Sequence, residues 1–410
     1  MGTDLSETIY DVAIIGGGIA GAGIARDAAM RGLHVIVFEK NTVGSGTSSK
    51  SSKLIHGGIR YLETAWHALK RGQFQESVKN FRFVFVSLKE CRILEKIAPD
   101  LIKPLPLVIP IYKNKKKNPW TIYAGSALYY LLARLGGTLK APQFLWTKKS
   151  ILKLIPSLDE KNLLGGVVLW DHCTDDKALV QKTMLSAKRH RTQLHEQTEV
   201  VSYEFNPKKN VYEIEVRENN LPTLYYARKL VNASGPWVDK VRVRSTDKTV
   251  VDNFLLPVAG SHITFKKFIP LSTILQAEDG RIFFVINLGE TSRVGTTEHF
   301  QEDPDKLDTT EEEIDYLLSS LKKYFPTIPF KKDEILSKDS GIRPLAHPGK
   351  TVFSIHEVSR EHEIRRSADG VLHILGVKLT DHRRAAEEIV NVISCELKNS
   401  RRVETHKTPL

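Results

Sequence analysis

"YDVAIIGGGIAGAGIARDAAMRGLHVIVFEK" runs from Tyr10 to Lys40, and its reading decides the fold. An apolar run, Tyr10–Ile15, ends in Gly16-Gly17-Gly18. Small residues continue to Arg31, with Ile24 and Ala28 four apart, as on the buried face of a helix. A second apolar run, His34–Phe38, ends at Glu39. Strand, glycine turn, helix and strand make one βαβ unit. Gly16, Gly18 and Gly21 spell GxGxxG. In that setting Gly16 permits the tight turn, Gly18 lets backbone approach a pyrophosphate, and Gly21 lets the helix pack close to the strand. The pyrophosphate would meet the positive end of the helix dipole. Glu39 is placed to accept from the ribose hydroxyls, and it would repel a 2′-phosphate, which argues against NADP.

NAD and FAD share this fingerprint, so the next stretch must separate them. A nicotinamide enzyme would continue toward a third parallel strand. This chain runs instead into "GSGTSSKSSKLIHGGIRYLE", Gly44–Glu63. Small hydroxyls and glycines allow the chain to close on a long phosphorylated cofactor, and Gly57-Gly58 would let it pass the edge of a flavin ring.

The rest of the chain supplies a second layer. Residues 76–149 read as amphipathic helices, a proline-rich patch "KPLPLVIP", a lysine cluster and an apolar helical run, Trp120–Leu135. Short alternating strands follow over 195–232, with more strands and an acidic helix, Thr310–Tyr324, over 250–337. "DGVLHILGVKLTDHRRAAEEIVNVI" predicts a strand, a turn and a helix beginning near Thr380. The last ten residues are polar and expected to fray.

These pieces resemble the FAD-dependent glycerol-3-phosphate dehydrogenases, within the group that includes D-amino acid oxidase. The matching stretches are the opening βαβ segment, "TSSKSSKLIHGGIRYLE", "LVNASGPWV", "GSHITF", "VGTTE", "SGIRPL" and "GVKLTDHR". The resemblance implies an α/β fold. Its FAD-binding Rossmann-like domain, of the glutathione reductase/D-amino acid oxidase type, would come from residues 1–75, 150–248 and 338–402. A mixed-sheet substrate domain would come from 76–149 and 249–337, with 403–410 as a tail. It implies noncovalent FAD held by Gly16, Gly18, Gly21, Glu39, Ser48, Ser52, Leu54, His56, Gly57, Ser234, Gly235, Gly376 and Lys378.

The reaction it implies is oxidation of sn-glycerol 3-phosphate at C2, with electrons passed to quinone or oxygen. Such a site needs a dianion clamp, and the planar fork of arginine matches phosphate oxygens. By the resemblance, Arg60, Tyr61, Arg343, Arg360 and Lys378 line the substrate site. Arg343 and Lys378 are expected near the C2 oxygen, with Arg60, Tyr61 and Arg360 toward the phosphate. A histidine titrating near neutrality suits proton abstraction. His262 is the first choice for that base, with His56 the alternative.

Four positions depart from the family pattern: Ala20, Ser234, Val377 and His382. Val377 stands where a second glycine is expected beside the flavin, so a β-branched residue there raises the question of φ. Family members also carry a C-terminal helical domain beyond the "KLT" helix, and this chain stops soon after it.

Composition narrows the partners. The net charge is +12 over 410 residues, with 41% hydrophobic and 26% charged, an ordinary globular balance. No zinc-finger spacing or aromatic-basic motif points to nucleic acid. Three cysteines without a CxxC fit a reducing compartment and no thiolate metal site, and no metal is expected. No basic-then-apolar leader opens the sequence, and no apolar run reaches the roughly 20 residues that span a bilayer. A cytoplasmic location is expected. Lys113, Lys115, Lys116 and Lys117 before Trp120 suggest peripheral contact with the cytoplasmic face of a membrane. A homodimer or a partner subunit is the remaining partner considered.

Overall fold

The computed structural model describes residues 8–113, 118–137, 140–245, 253–349, 358–359 and 361–410, with the Arg60 side chain excepted. The opening segment folds as strand β1, Ile9–Ile15, helix α1, Ile19–Met30, and strand β2, Val35–Phe38. β1 pairs in parallel with β2 and with the strand Leu221–Asn232. All four residues of β2 are buried, as expected for a strand covered on both faces.

Two sheets organise the described residues. The first has eight strands. Its spine runs Glu363–Arg366, Leu372–Leu375, Leu221–Asn232, β1, β2, Gln193–His195, and an antiparallel pair, Thr198–Asn206 and Val211–Glu218, attaches to Leu221–Asn232. α1 packs against the helices Asp176–Arg189 and His382–Glu396. A Cβ on Gly23 would come within 3.2 Å of the His382 carbonyl oxygen, so this glycine sets the close approach of α1 to the last helix.

The second sheet has ten strands. It includes Leu54–Ile55, Lys103–Tyr112, Leu163–Cys173, Leu255–Lys266 and Ser337–Ala346. The proline-rich patch is therefore a strand. Leu163–Cys173 pairs along its whole length, whereas its other neighbour meets it only at Leu107 and Val108. Pro104, Pro106 and Pro110 alternate, so their missing N–H groups fall on one edge, where proline is tolerated. The acidic helix is Glu311–Tyr324, and the Thr310 side chain caps it by accepting from Glu313 N at 3.3 Å.

The C-terminal residues do not fray. Leu410 is buried and its amide donates to the Ile97 carbonyl at 2.8 Å. Arg26, buried on α1, donates to the carbonyls of Thr405 and Thr408. The last helix begins at His382, two residues later than expected, with Asp381 at its N-cap.

Candidate active site

A cleft of about 220 Å³ follows the carboxyl ends of β1 and β2. Gly16, Gly18, Glu39, Ser48, Ser234, Gly235 and Gly376 line it, with Trp237, Lys240 and Val377. Each glycine has a local reason. Gly16 has φ +107°, and a Cβ there would lie 2.7 Å from the Ala233 carbonyl. A Cβ on Gly21 would collide with the Gly16 carbonyl at 1.9 Å, so Gly21 serves the turn from behind the cleft. Gly18, the N-cap of α1, receives no side-chain cap. Ser48 Oγ accepts from the next amide, Ile19 N, at 3.1 Å.

Glu39 is anchored by its backbone neighbours. Its carboxylate accepts from Gly17 N at 2.6 Å and Asn41 N at 2.8 Å. A carboxylate offers about four acceptor sites, so capacity remains for ribose hydroxyls in the cleft it lines. Ser234 Oγ donates to Asn232 Oδ1 at 2.6 Å. An open glycine turn, a helix end whose N-cap residue carries no side chain and an anchored acid suit a dinucleotide such as FAD.

Val377 answers the question its β-branched side chain posed. It has no positive φ, and it packs against the core beneath the first sheet. The left-handed position falls on the preceding Gly376, at φ +67°.

Beyond the cleft wall, the motif loop meets the second sheet. Ser52, Leu54, His56, Gly57 and Lys378 lie there. Leu54 is buried among Leu105, Leu107, Ile274 and Ile286, so its side chain is a core contact. Thr380 Oγ1 accepts from His56 N at 3.1 Å, which ties the motif to the turn before the last helix. Gly57 N donates to Tyr129 Oη at 3.0 Å and to Asp171 Oδ1 at 3.4 Å. A Cβ on Gly57 would lie 2.4 Å from Leu88 Cγ. Packing therefore demands glycine here, and the Gly57 amide is engaged by protein.

Lys378 and Tyr61 come together: Nζ donates to Tyr61 Oη at 3.2 Å, and Lys378 also lies 4.2 Å from the centroid of Phe83. Arg343 donates to Thr296 Oγ1 at 3.2 Å and to Glu298 Oε1 at 3.4 Å. His262 is buried, and its Nε2 lies 2.8 Å from Ser52 Oγ. Burial, then the nearby cations of Arg293, Arg343 and Lys53, hold its pKa well below the usual histidine value. This depression runs against the expectation of a base titrating near neutrality at His262. Phe284 links the two groups. Its ring is 6.4 Å from that of His56, and its backbone pairs with Gly295, against which the His262 ring packs. Arg60 heads the helix Arg60–Lys70. Arg360, Lys115, Lys116 and Lys117 fall outside the described residues.

Several functional-looking residues have no motif in the sequence. Arg293 makes a bidentate pair with Asp339 at 2.7 Å and donates from Nε to the Ser51 carbonyl at 3.1 Å. Asp176 holds the same loop by accepting from Ser51 Oγ at 2.7 Å and from Lys53 at 2.6 Å. Tyr129 donates to both oxygens of Asp171, at 2.8 and 3.0 Å. Desolvation pushes the Asp171 carboxyl up to about 7, opposed by the bonds from Tyr129 and Gly57. Asp171 sits in "LWDHC" and Tyr129 in an aliphatic run, where nothing in the spacing marks them.

The family model described as FAD dependent oxidoreductase matches residues 11–379. An aerobic glycerol-3-phosphate dehydrogenase of Staphylococcus haemolyticus is 33% identical over 422 residues, covering 99% of this chain and 72% of that protein. The chain belongs to the FAD-dependent glycerol-3-phosphate dehydrogenases. Its cofactor is FAD. The Staphylococcus epidermidis relative of the same description is 34% identical and is covered to 69%. Among solved structures, a glycerol-3-phosphate dehydrogenase from Bacillus halodurans complexed with FAD is similar, with TM-score 0.76 and 27% identity over 98% of this chain and 68% of that one. An L-alpha-glycerophosphate oxidase from Mycoplasma pneumoniae has TM-score 0.70 at 17% identity, covering 94% of this chain and 95% of that one, a likeness of fold. No helix among the described residues is long and apolar enough to cross a membrane.

Proposed function

We propose that this chain oxidises sn-glycerol 3-phosphate to dihydroxyacetone phosphate with noncovalent FAD, and that its electrons pass to a quinone. The observation that carries the reading is the convergence of Lys378 with Tyr61, and of Arg343 with Thr296 and Glu298, around the motif loop and its histidines. When bound, FAD supplies the hydride acceptor for C2. The protein's part is to hold the substrate and take the hydroxyl proton. Arg343 and Lys378 would place positive charge at the C2 oxygen, and Arg60, Tyr61 and Arg360 would hold the phosphate. His262 would have to charge beside Arg293, Arg343 and Lys53 to act as the base. His56 is the better acceptor of the proton, and His262 orients Ser52 and the motif loop.

Membrane contact is part of the same proposal, because a quinone is dissolved in the bilayer. Trp120, Leu131, Leu135 and Trp146 are exposed, and the Trp120 and Trp146 ring centroids lie 6.1 Å apart. Such an aromatic and aliphatic patch, with the lysine cluster just before Trp120 in the sequence, suits a headgroup boundary.

The deciding experiment mixes the yellow holoprotein anaerobically with glycerol 3-phosphate or with L-2-hydroxyglutarate. Bleaching by the first alone supports the reading, and bleaching by the second alone replaces it with a hydroxy-acid dehydrogenase. Quinone-analogue turnover, and flotation with anionic vesicles that is lost when the four lysines become Gln, test the acceptor and the membrane contact.

A further inference from the structure

Asp171 and Tyr129 sit where a carboxyl and a phenol are costly. Both are buried, and Tyr129 belongs to an apolar cluster with Leu62, Val84, Leu88, Val167 and Leu169. A buried polar pair of this kind is often no more stabilising than an apolar one of equal volume. Its geometry therefore matters. The two side chains come from different elements, the helix Pro119–Leu135 and the strand Leu163–Cys173, and they meet at a single backbone amide, Gly57 N.

That amide lies between two parts of the proposed site. On one side His56 is fixed by Thr380. On the other, Gly58 has φ +77°, and a Cβ there would lie 2.7 Å from the Tyr61 ring. Tyr61 in turn accepts from Lys378. A contiguous path runs from Asp171 through Tyr129 and Gly57 to Tyr61 and Lys378. Rotation of the peptide before Gly57 would move His56 and Tyr61 together.

We infer that Asp171 and Tyr129 are positioning residues for the proposed oxidation: they clamp the Gly57-Gly58 turn and so aim His56, Tyr61 and Lys378. The inference rests on the reading given above. Neither side chain need touch substrate or cofactor. Tyr129 donates a hydrogen bond to Asp171 and its oxygen accepts from Gly57 N, so removal of either member loosens the hold on the same amide.

The test uses the full FAD-loaded chain and two conservative variants, Tyr129→Phe and Asp171→Asn. Stopped-flow anaerobic reduction gives a limiting rate and a half-saturating concentration of glycerol 3-phosphate. Loss of a hydrogen bond in a charged network costs roughly 1.5–3 kcal/mol, so the limiting rate should fall about 10- to 100-fold. Half-saturation should rise as well, because Tyr61, one of the groups proposed to hold the phosphate, is aimed by the same turn. The double variant should be little worse than either single one, since both act on one amide. The bound-flavin absorbance should shift in both, and amide hydrogen exchange over residues 57–61 of the apoprotein should quicken. Wild-type rates with unchanged absorbance and exchange would overturn the proposal, even if the variants melted earlier. Wild type that is not bleached at all would remove the substrate reading. Exchange and absorbance would then still decide the clamp.

Discussion

His262 Nε2 lies 2.8 Å from Ser52 Oγ, joining a strand of the second sheet to the motif loop that follows the cofactor cleft. The imidazole is buried and faces the cations of Arg293, Arg343 and Lys53, so the neutral form is the stable one. We predict that His262 stays neutral through the range in which a free histidine gains its proton. Ring chemical shifts of labelled histidine would show this, and a midpoint at or above the free histidine value would contradict it. The sign for stability follows. A histidine with a depressed pKa favours the folded state above its unfolded pKa, and this contribution is lost as pH falls through 6.5 toward the folded value.

Asp171 predicts the opposite trend. Its carboxyl is raised to about 7, so the folded state holds a proton that the unfolded chain releases from about pH 4 upward. Stability from this group is fully present below about pH 4 and is lost as pH rises through 7, at up to about 1.4 kcal/mol per pH unit. Asp171→Asn should cancel that slope. Melting curves of wild type and variant between pH 5 and 8 that run parallel would refute it.

Arg343→Ala should keep FAD but lose reduction by glycerol 3-phosphate. Arg343 holds Thr296 and Glu298 and is not part of the glycine cleft wall. A charged hydrogen bond is worth roughly 1.5–3 kcal/mol, so the reduction rate should drop about 10- to 100-fold. Full flavin content with a wild-type rate would take Arg343 out of the site.

Gly57→Ala should destabilise by overpacking, at about 1–3 kcal/mol, because its Cβ would lie 2.4 Å from Leu88 Cγ and 2.8 Å from Tyr129 Oη. Leu88→Ala makes room for it. The double variant should therefore lose less than the sum of the singles in denaturant unfolding. Additive losses would show that Leu88 is not what excludes a side chain here.

Val377→Gly should not improve flavin binding. Val377 has no positive φ and packs on the core, so glycine removes a half-buried side chain and adds unfolded-chain entropy, the latter about 0.5–1 kcal/mol. A lower melting temperature with unchanged FAD affinity is expected. Tighter FAD binding would restore the view that valine distorts the loop.

Local chemistry made the cofactor half legible in the sequence. The turn, the helix start and the acid at the end of β2 are all within 31 residues of one another, and each follows from backbone φ, a helix terminus or strand alternation. Motif order along the chain was enough to assign the family. Tertiary structure decided what lies far apart in sequence. Gly57 meets Tyr129 across 72 residues and Asp171 across 114, and no periodicity encodes such contacts. Leu54, a motif residue, turned inward because its strand pairs with Cys173. The downward push on His262 has the same origin: a pKa is set by burial and by charges brought near from other strands, and those exist only once the second sheet has closed on the motif loop.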